Sequence, residues 1–305
     1  MDALVVSSPQ GDLTAAKVPV PTIDADELLV RIRAVGVGIH DSTFLPRQLV
    51  LPYPIGIEAA GVVEEAGFAA SGYGVGDRIA FVSMMQPKGG VWAEYAAVRA
   101  DSLILPVPDG MGFEDAAAIP VAGNSALRAL HALPATPPGG AIFVAGASGA
   151  VGTFAVQLAR ERGWEVAASA STPNHDYLRS LGATLTVDYR DPQWTEQVRR
   201  WRPEGLDGAV AVQPRTTAPC MGLVKAGGTV VTVSGDQVAP AHGVRVSGLA
   251  YGADVREELL AVMDRIARGE FILAIERVFP FTDALAALAK VQTRRARGKV
   301  VISLG

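Results

Sequence analysis

Gly140-Ala141-Ile142-Phe143-Val144-Ala145-Gly146-Ala147-Ser148-Gly149-Ala150-Val151-Gly152 sets a short apolar run, 142–144, directly before glycines at 146, 149 and 152. A second apolar run, 151–158, has helical character. Strand, glycine turn and helix in that order form a device for holding a pyrophosphate. Glycines let the backbone approach an anion, and the N–H groups that open a helix point at it. The stretch predicts an anion grip built from Gly146, Ala147, Ser148, Gly149, Ala150 and Val151. A glycine triplet also occurs in ordinary turns, so the flanking sequence has to decide.

Downstream, β-like runs at 165–170, 184–187, 208–212, 229–233 and 244–248 alternate with helical runs at 152–162, 176–181 and 195–200. Such alternation predicts a parallel sheet with helices on both faces, a doubly wound α/β architecture. Helical spacing also marks 113–119 and 124–133. In 256–267, Leu259, Leu260, Met263 and Ile266 fall on one side. Residues 1–110 have a different grammar. Leu28, Val30 and Ile32 alternate with polar residues within 27–35, and short β-like runs follow at 61–63, 78–82 and 93–98. Turn signals such as Gly72-Tyr73-Gly74-Val75-Gly76-Asp77 separate them. After Glu270 the pattern becomes short and mixed and ends in an apolar strand, 299–304. The expected division is a β-rich domain of 1–111 with 269–305, and a dinucleotide-binding domain of 112–268.

Composition narrows the function. Of 305 residues, 49% are hydrophobic and only 19% charged, which suits a large core and argues against disorder. A net charge of −4 gives no electrostatic case for nucleic acid or an anionic membrane. The single cysteine, Cys220, excludes an intramolecular disulfide and any multi-cysteine zinc site, and fits a reducing, cytoplasmic setting. Residues 1–6 lack the basic-then-apolar pattern of a signal peptide, and no uncharged apolar stretch of about 18 residues predicts a membrane span.

Several motifs in order resemble the medium-chain dehydrogenase/reductase superfamily, and within it the zinc-independent, zeta-crystallin-like quinone oxidoreductase branch. They are Gly56-Ile57-Glu58-Ala59-Ala60-Gly61, Val75-Gly76-Asp77-Arg78-Ile79, Gly90-Val91-Trp92-Ala93-Glu94-Tyr95-Ala96, the 145–152 turn running on to Gln157-Leu158-Ala159-Arg160, and Arg297-Gly298-Lys299-Val300-Val301. The resemblance implies a GroES-like catalytic domain beside a Rossmann domain. It also implies a nicotinamide cofactor contacted at Val233 and Ser234 as well as at the glycine turn. A homodimer through an edge strand of the Rossmann sheet is implied too, with 229–233 or 244–251 supplying the edge. Zinc enzymes of the superfamily use cysteine and histidine ligands. The matching positions here hold Gly38, Ile57 and the cysteine-free 121–124, and the four histidines (40, 131, 175, 242) show no ligand spacing, so no metal is expected.

An acidic residue at the end of the second Rossmann strand binds the adenosine ribose diol in NAD sites. Here that end reads Ser169-Ala170-Ser171-Thr172, without a carboxylate, which favours NADPH. The resemblance implies that Asn174 and Tyr189 contact a 2′-phosphate; Ser169 and Ser171 could add donors, and Arg294 or Arg295 could reach it from the C-terminal segment. Bland alternatives stand beside each: a packing tyrosine for Tyr189, a helix cap for Asn174, a solvated edge for the arginines. Without zinc, the accessible chemistry is reduction of a conjugated acceptor, either a quinone or an enone or enoyl thioester. The site then needs a hydrogen-bond donor and a proton source. His40, Asp41 and Tyr53 are the candidates. A loop-fixing role suits Asp41 equally well, and a turn aromatic is the plain alternative for Tyr53.

Overall fold

The computed structural model describes residues 1–305. Its contacts group into two compact units: Met1–Val121 with Leu260–Glu270 and Ile275–Gly305, and Ala122–Leu259 with Phe271–Ala274. The division therefore falls at Val121 rather than at 111. The short helix Phe113–Ala117 packs on the β-rich unit so closely that a Cβ on Gly36 would lie 2.2 Å from the Ala117 carbonyl oxygen.

The first unit is built on the strand Glu27–Val37, which pairs antiparallel with Glu58–Ala66, Tyr95–Arg99 and Lys299–Ser303. Leu28, Val30 and Ile32 are buried while Arg31 and Arg33 are only half-buried, as their alternation requires. The sheet extends through Lys299–Ser303 to Ile275–Pro280 on one side. On the other side it extends through Arg78–Val82 to Ile104–Pro106. Asp2–Val6, Leu13–Lys17 and Tyr53–Pro54 form a second, three-stranded sheet. Trp92, Phe81, Ile55 and Leu28 are the large side chains sealed inside. The strand Ile275–Pro280 and the helix Ala284–Gln292 resolve what reads in sequence as a short, mixed pattern.

The second unit holds six parallel strands: Ala141–Ala145, Glu165–Ser169, Leu185–Val187, Leu206–Ala211, Val224–Thr232 and Arg245–Ser247. Numbered from the first of these, their spatial order is 3-2-1-4-5-6, with every pairing parallel. This is the doubly wound order in which a ligand crevice opens where the winding reverses, between the first and fourth strands. Arg245–Ser247 is an edge of the sheet and Val224–Thr232 lies one strand in, which decides between the two edge candidates. No helix of the molecule is long and apolar enough to cross a membrane.

Candidate functional site

The strand Ala141–Ala145 is buried along its whole length and delivers the chain into the turn at Gly146. Gly146 has φ +72°, in the left-handed region. Its N–H donates to Ser169 Oγ at 3.3 Å, and the Ala147 N–H donates to the Ser169 carbonyl at 3.0 Å. Gly149 is the N-cap of the helix Ala150–Glu161 and makes no side-chain cap. The three glycines differ in what they exclude. A Cβ on Gly152 would fall 2.5 Å from the Gly146 oxygen and 2.6 Å from Ala147 Cα, so helix and strand could not pack. A Cβ on Gly146 would strike Gln213 Cγ at 2.5 Å. A Cβ on Gly149 would meet nothing nearer than 3.5 Å, and its φ of −80° suits any residue. The fold does not require a glycine at 149, and the bare backbone there leaves room for a ligand to approach. The turn therefore fits the pyrophosphate of a dinucleotide.

Around the neighbouring strand ends the structure redistributes the expected phosphate contacts. Ser169 is buried, and its Oγ accepts from the Gly146 N–H of the glycine turn. Ser171 Oγ accepts from Asn174 Nδ2 at 3.1 Å, and Asn174 precedes the helix His175–Ser180 without capping it through its side chain. Tyr189 is 55% exposed. Val233 donates its N–H to the Ala211 carbonyl at 2.9 Å, and the Ser234 hydroxyl lies 3.3 Å from that of Thr232. Arg294 belongs to the first unit, where its charge, after burial, helps hold the His40 imidazole below its ordinary pKa.

Two residues in this region escaped the sequence reading. Asp188 follows the third strand, whose register sets Val187 beside Ser169, so its carboxylate arrives next to the end of the second strand. Asp188 Oδ2 accepts from the Thr172 N–H at 3.1 Å and Thr172 Oγ1 at 2.6 Å. Arg190 grips the same carboxylate, Nε to Oδ1 at 2.9 Å and Nη2 to Oδ2 at 2.5 Å, and its backbone N–H adds a bond to Oδ1 at 3.0 Å. The Arg190 guanidinium, first among these donors, holds the Asp188 carboxyl well below the usual carboxylate range. The available sequence signal was proximity to Tyr189. Only the strand register turns that proximity into a site.

In the first unit the candidate donors separate by environment. Asp41 is fully buried; its Oδ2 accepts from the Gly38 N–H at 2.9 Å and from the Trp92 indole N–H at 3.0 Å. Its Oδ1 has no partner and sits 2.8 Å from where a residue-38 Cβ would stand, so the carboxylate excludes a side chain there. Burial pushes the Asp41 carboxyl up to about 7, against the pull of the Gly38 N–H and the Lys299 charge. His40 is exposed, its ring stacked on Phe44 at 4.7 Å. Tyr53 is buried, its hydroxyl donating to the Gln86 carbonyl at 2.6 Å, and burial raises its pKa to about 12. Beside Asp41, Glu58 and Lys299 form a buried ion pair, and Glu58 also accepts from the Val121 N–H at 2.7 Å. Ile57 is 6% exposed, an aliphatic side chain where a ligand histidine would stand.

Comparison with known proteins agrees with this geometry. A model of the alcohol dehydrogenase GroES-like domain matches residues 24–109, and one of zinc-binding dehydrogenases matches 181–302. The chain is 33% identical to the synaptic vesicle membrane protein VAT-1 of Tetronarce californica, over 62% of this chain and 49% of that protein. It thus spans about half the length of that relative. It is 34% identical to the trans-enoyl reductase tazE of Aspergillus terreus, over 62% of this chain and 69% of that one. Among solved structures, the quinone oxidoreductase of Thermus thermophilus, described alone and in complex with NADPH, aligns over 100% of both chains with 30% identity and a TM-score of 0.78.

Proposed function

This chain belongs to the medium-chain dehydrogenase/reductase superfamily, and from that premise we propose that it is an NADPH-dependent reductase of a quinone or other conjugated carbonyl that works without metal. The observation that carries the reading is Gly149, a glycine its own fold does not require, at the mouth of a 3-2-1-4-5-6 sheet. A reduced nicotinamide cofactor supplies a hydride when bound there. The N–H groups of Ser148, Ala150 and Val151, where the helix opens, would hold its pyrophosphate, and the end of the second strand, Ser169 to Ser171, carries no carboxylate of its own.

The remaining task is to accept negative charge on a carbonyl oxygen and deliver a proton. Asp41 is the donor we assign. It keeps its proton close to neutral pH, and its Oδ1 is left without a partner inside the fold. His40, exposed and held neutral, orients the acceptor from the rim. Tyr53 takes a structural role because its proton is already given to Gln86. Gly38 and Ile57 leave no ligand set for zinc, so polarisation falls to these hydrogen bonds. The β-rich unit is the substrate domain in this reading. The protein acts in the cytoplasm as a homodimer joined at the Arg245–Ser247 edge.

The trans-enoyl reductase relative favours a second acceptor class, the enoyl thioester. NADPH oxidation measured with 1,4-benzoquinone, a small enone and crotonyl thioester separates the classes. Tight NADPH binding without turnover on any of the three would instead leave a binding or sensing protein. A monomeric mass in solution would remove the dimer.

A further inference from the structure

Resting on the NADPH reading above, we propose that Arg190 is the residue that selects the 2′-phosphate, and that Asp188 is a positioning residue that aims it. An acid near the end of the second Rossmann strand normally means NAD, because a carboxylate accepts the ribose hydroxyls and repels a phosphate. Asp188 occupies that neighbourhood but has no acceptor capacity left. Oδ1 takes the Arg190 N–H and Nε–H; Oδ2 takes Thr172 N–H, Thr172 Oγ1 and Arg190 Nη2. Its charge is matched by the guanidinium it holds.

Arg190 spends Nε and Nη2 on this grip. Nη1 has no protein partner, and the residue is exposed, with its guanidinium carbon 5.9 Å from the Tyr189 ring centre. An arginine fixed on one edge by a carboxylate loses less side-chain freedom when its other edge meets a phosphate. The pair is therefore a two-position selector. With Arg190 present, a cation stands at the ribose and the acid is hidden. With Arg190 removed, Oδ1 keeps only a backbone donor and is free to accept the ribose 2′-hydroxyl.

The test is titration calorimetry of the full chain with adenosine 2′,5′-bisphosphate and with AMP, backed by NADPH and NADH affinities. Arg190→Ala is expected to weaken the bisphosphate about tenfold or more and to tighten both AMP and NADH, whose free 2′-hydroxyl Asp188 can then accept. Asp188→Asn/Arg190→Ala should lose less of the bisphosphate than Arg190→Ala, with no uncovered carboxylate to repel it, and gain nothing for NADH, a difference that a merely structural role would not produce. Arg190→Lys should fall between wild type and Arg190→Ala. Melting temperatures near that of wild type in all three variants exclude misfolding of these surface positions. An unchanged bisphosphate-to-AMP ratio in Arg190→Ala overturns the assignment of Arg190 and leaves the NADPH reading standing. Equal affinity of the wild type for the two nucleotides overturns both.

Discussion

At Gly152 and Gly149 the same substitution should have opposite consequences. Gly152→Ala drives a Cβ into the Gly146 oxygen and Ala147 Cα, backbone atoms that cannot swing away. A loss of about 1–3 kcal/mol or more is expected in chemical denaturation. Gly149→Ala meets only an ordinary contact at 3.5 Å, so its stability should fall by no more than about 1 kcal/mol, the scale of an N-cap change. Its NADPH affinity should nevertheless drop about tenfold, because the added methyl stands where the pyrophosphate lies. A Gly149→Ala variant that binds NADPH as wild type does would remove the pyrophosphate from this turn. Asp41 gives a prediction in pH. Its folded pKa of about 7 lies above the ordinary 3.8, so the native state binds the proton more tightly than the unfolded chain. Its contribution favours the fold at low pH and is lost as pH rises from about 4 through about 7, at about 1.4 kcal/mol per unit of difference. Glu58, also pushed up by burial, acts in the same direction, and Lys299 opposes both. Asp41→Asn keeps an acceptor for Gly38 and Trp92 and removes the titration. It should be more stable than wild type above pH 7 by about 1 kcal/mol or more, with a flatter stability curve and a large loss of turnover. At this scale the glycines were legible because each sits at a fixed offset from a strand end. The Asp188–Arg190 pair was not, because it needs the register of two parallel strands.

Elements with strong periodicity were legible to within a residue or two. The helix Arg256–Ala267 coincides with its apolar spacing, and the strand Ala141–Ala145 with its apolar run. Ile275–Pro280 was missed because among its six residues only Phe279 is buried, so no period-2 signal exists to find. Gln157 shows how a motif can be recognised before the physical role of its residues is known. It belongs to the run that resembles the cofactor fingerprint, yet its amide works as a surrogate peptide. Nε2 donates to the Ile272 carbonyl at 3.0 Å and to the Thr153 carbonyl at 3.1 Å, while Oε1 accepts from the Ile272 N–H at 2.9 Å. It clasps the segment after Glu270 to the nucleotide helix. Gln157→Leu should strand both Ile272 groups and cost about 2–4 kcal/mol. Hydrogen exchange at the Ile272 amide would accelerate sharply, whereas a direct cofactor contact would show first in NADPH affinity. Unchanged protection at Ile272 would refute the clasp.

At the scale of the molecule, the chain starts in the β-rich unit, builds the Rossmann sheet, and returns. The return was legible in the apolar run 299–304, whose strand Lys299–Ser303 pairs with Glu27–Val37. What holds it was not. Lys299 enters the core of the first unit with an ionised side chain only 5% exposed, and finds Glu58, 241 positions earlier and fully buried. Glu58 in turn satisfies the N–H of Val121, where the chain leaves for the second unit. One carboxylate thus joins the outgoing and the returning segments, in the neighbourhood where zinc relatives would carry a ligand histidine. A buried pair of this kind contributes little net stability, but breaking one half leaves an uncompensated charge in the core. Lys299→Met should therefore destabilise by about 3–5 kcal/mol, while Lys299→Met/Glu58→Gln, which keeps an acceptor for Val121 and removes both charges, should recover much of that loss. The coupling can be measured by denaturation at pH 8, where Glu58 in the single variant is most strained. A double variant as unstable as the single would mean that Lys299 acts through packing of its alkyl stem. Recovery would mean that charge balance at Glu58 ties the end of the chain to its middle.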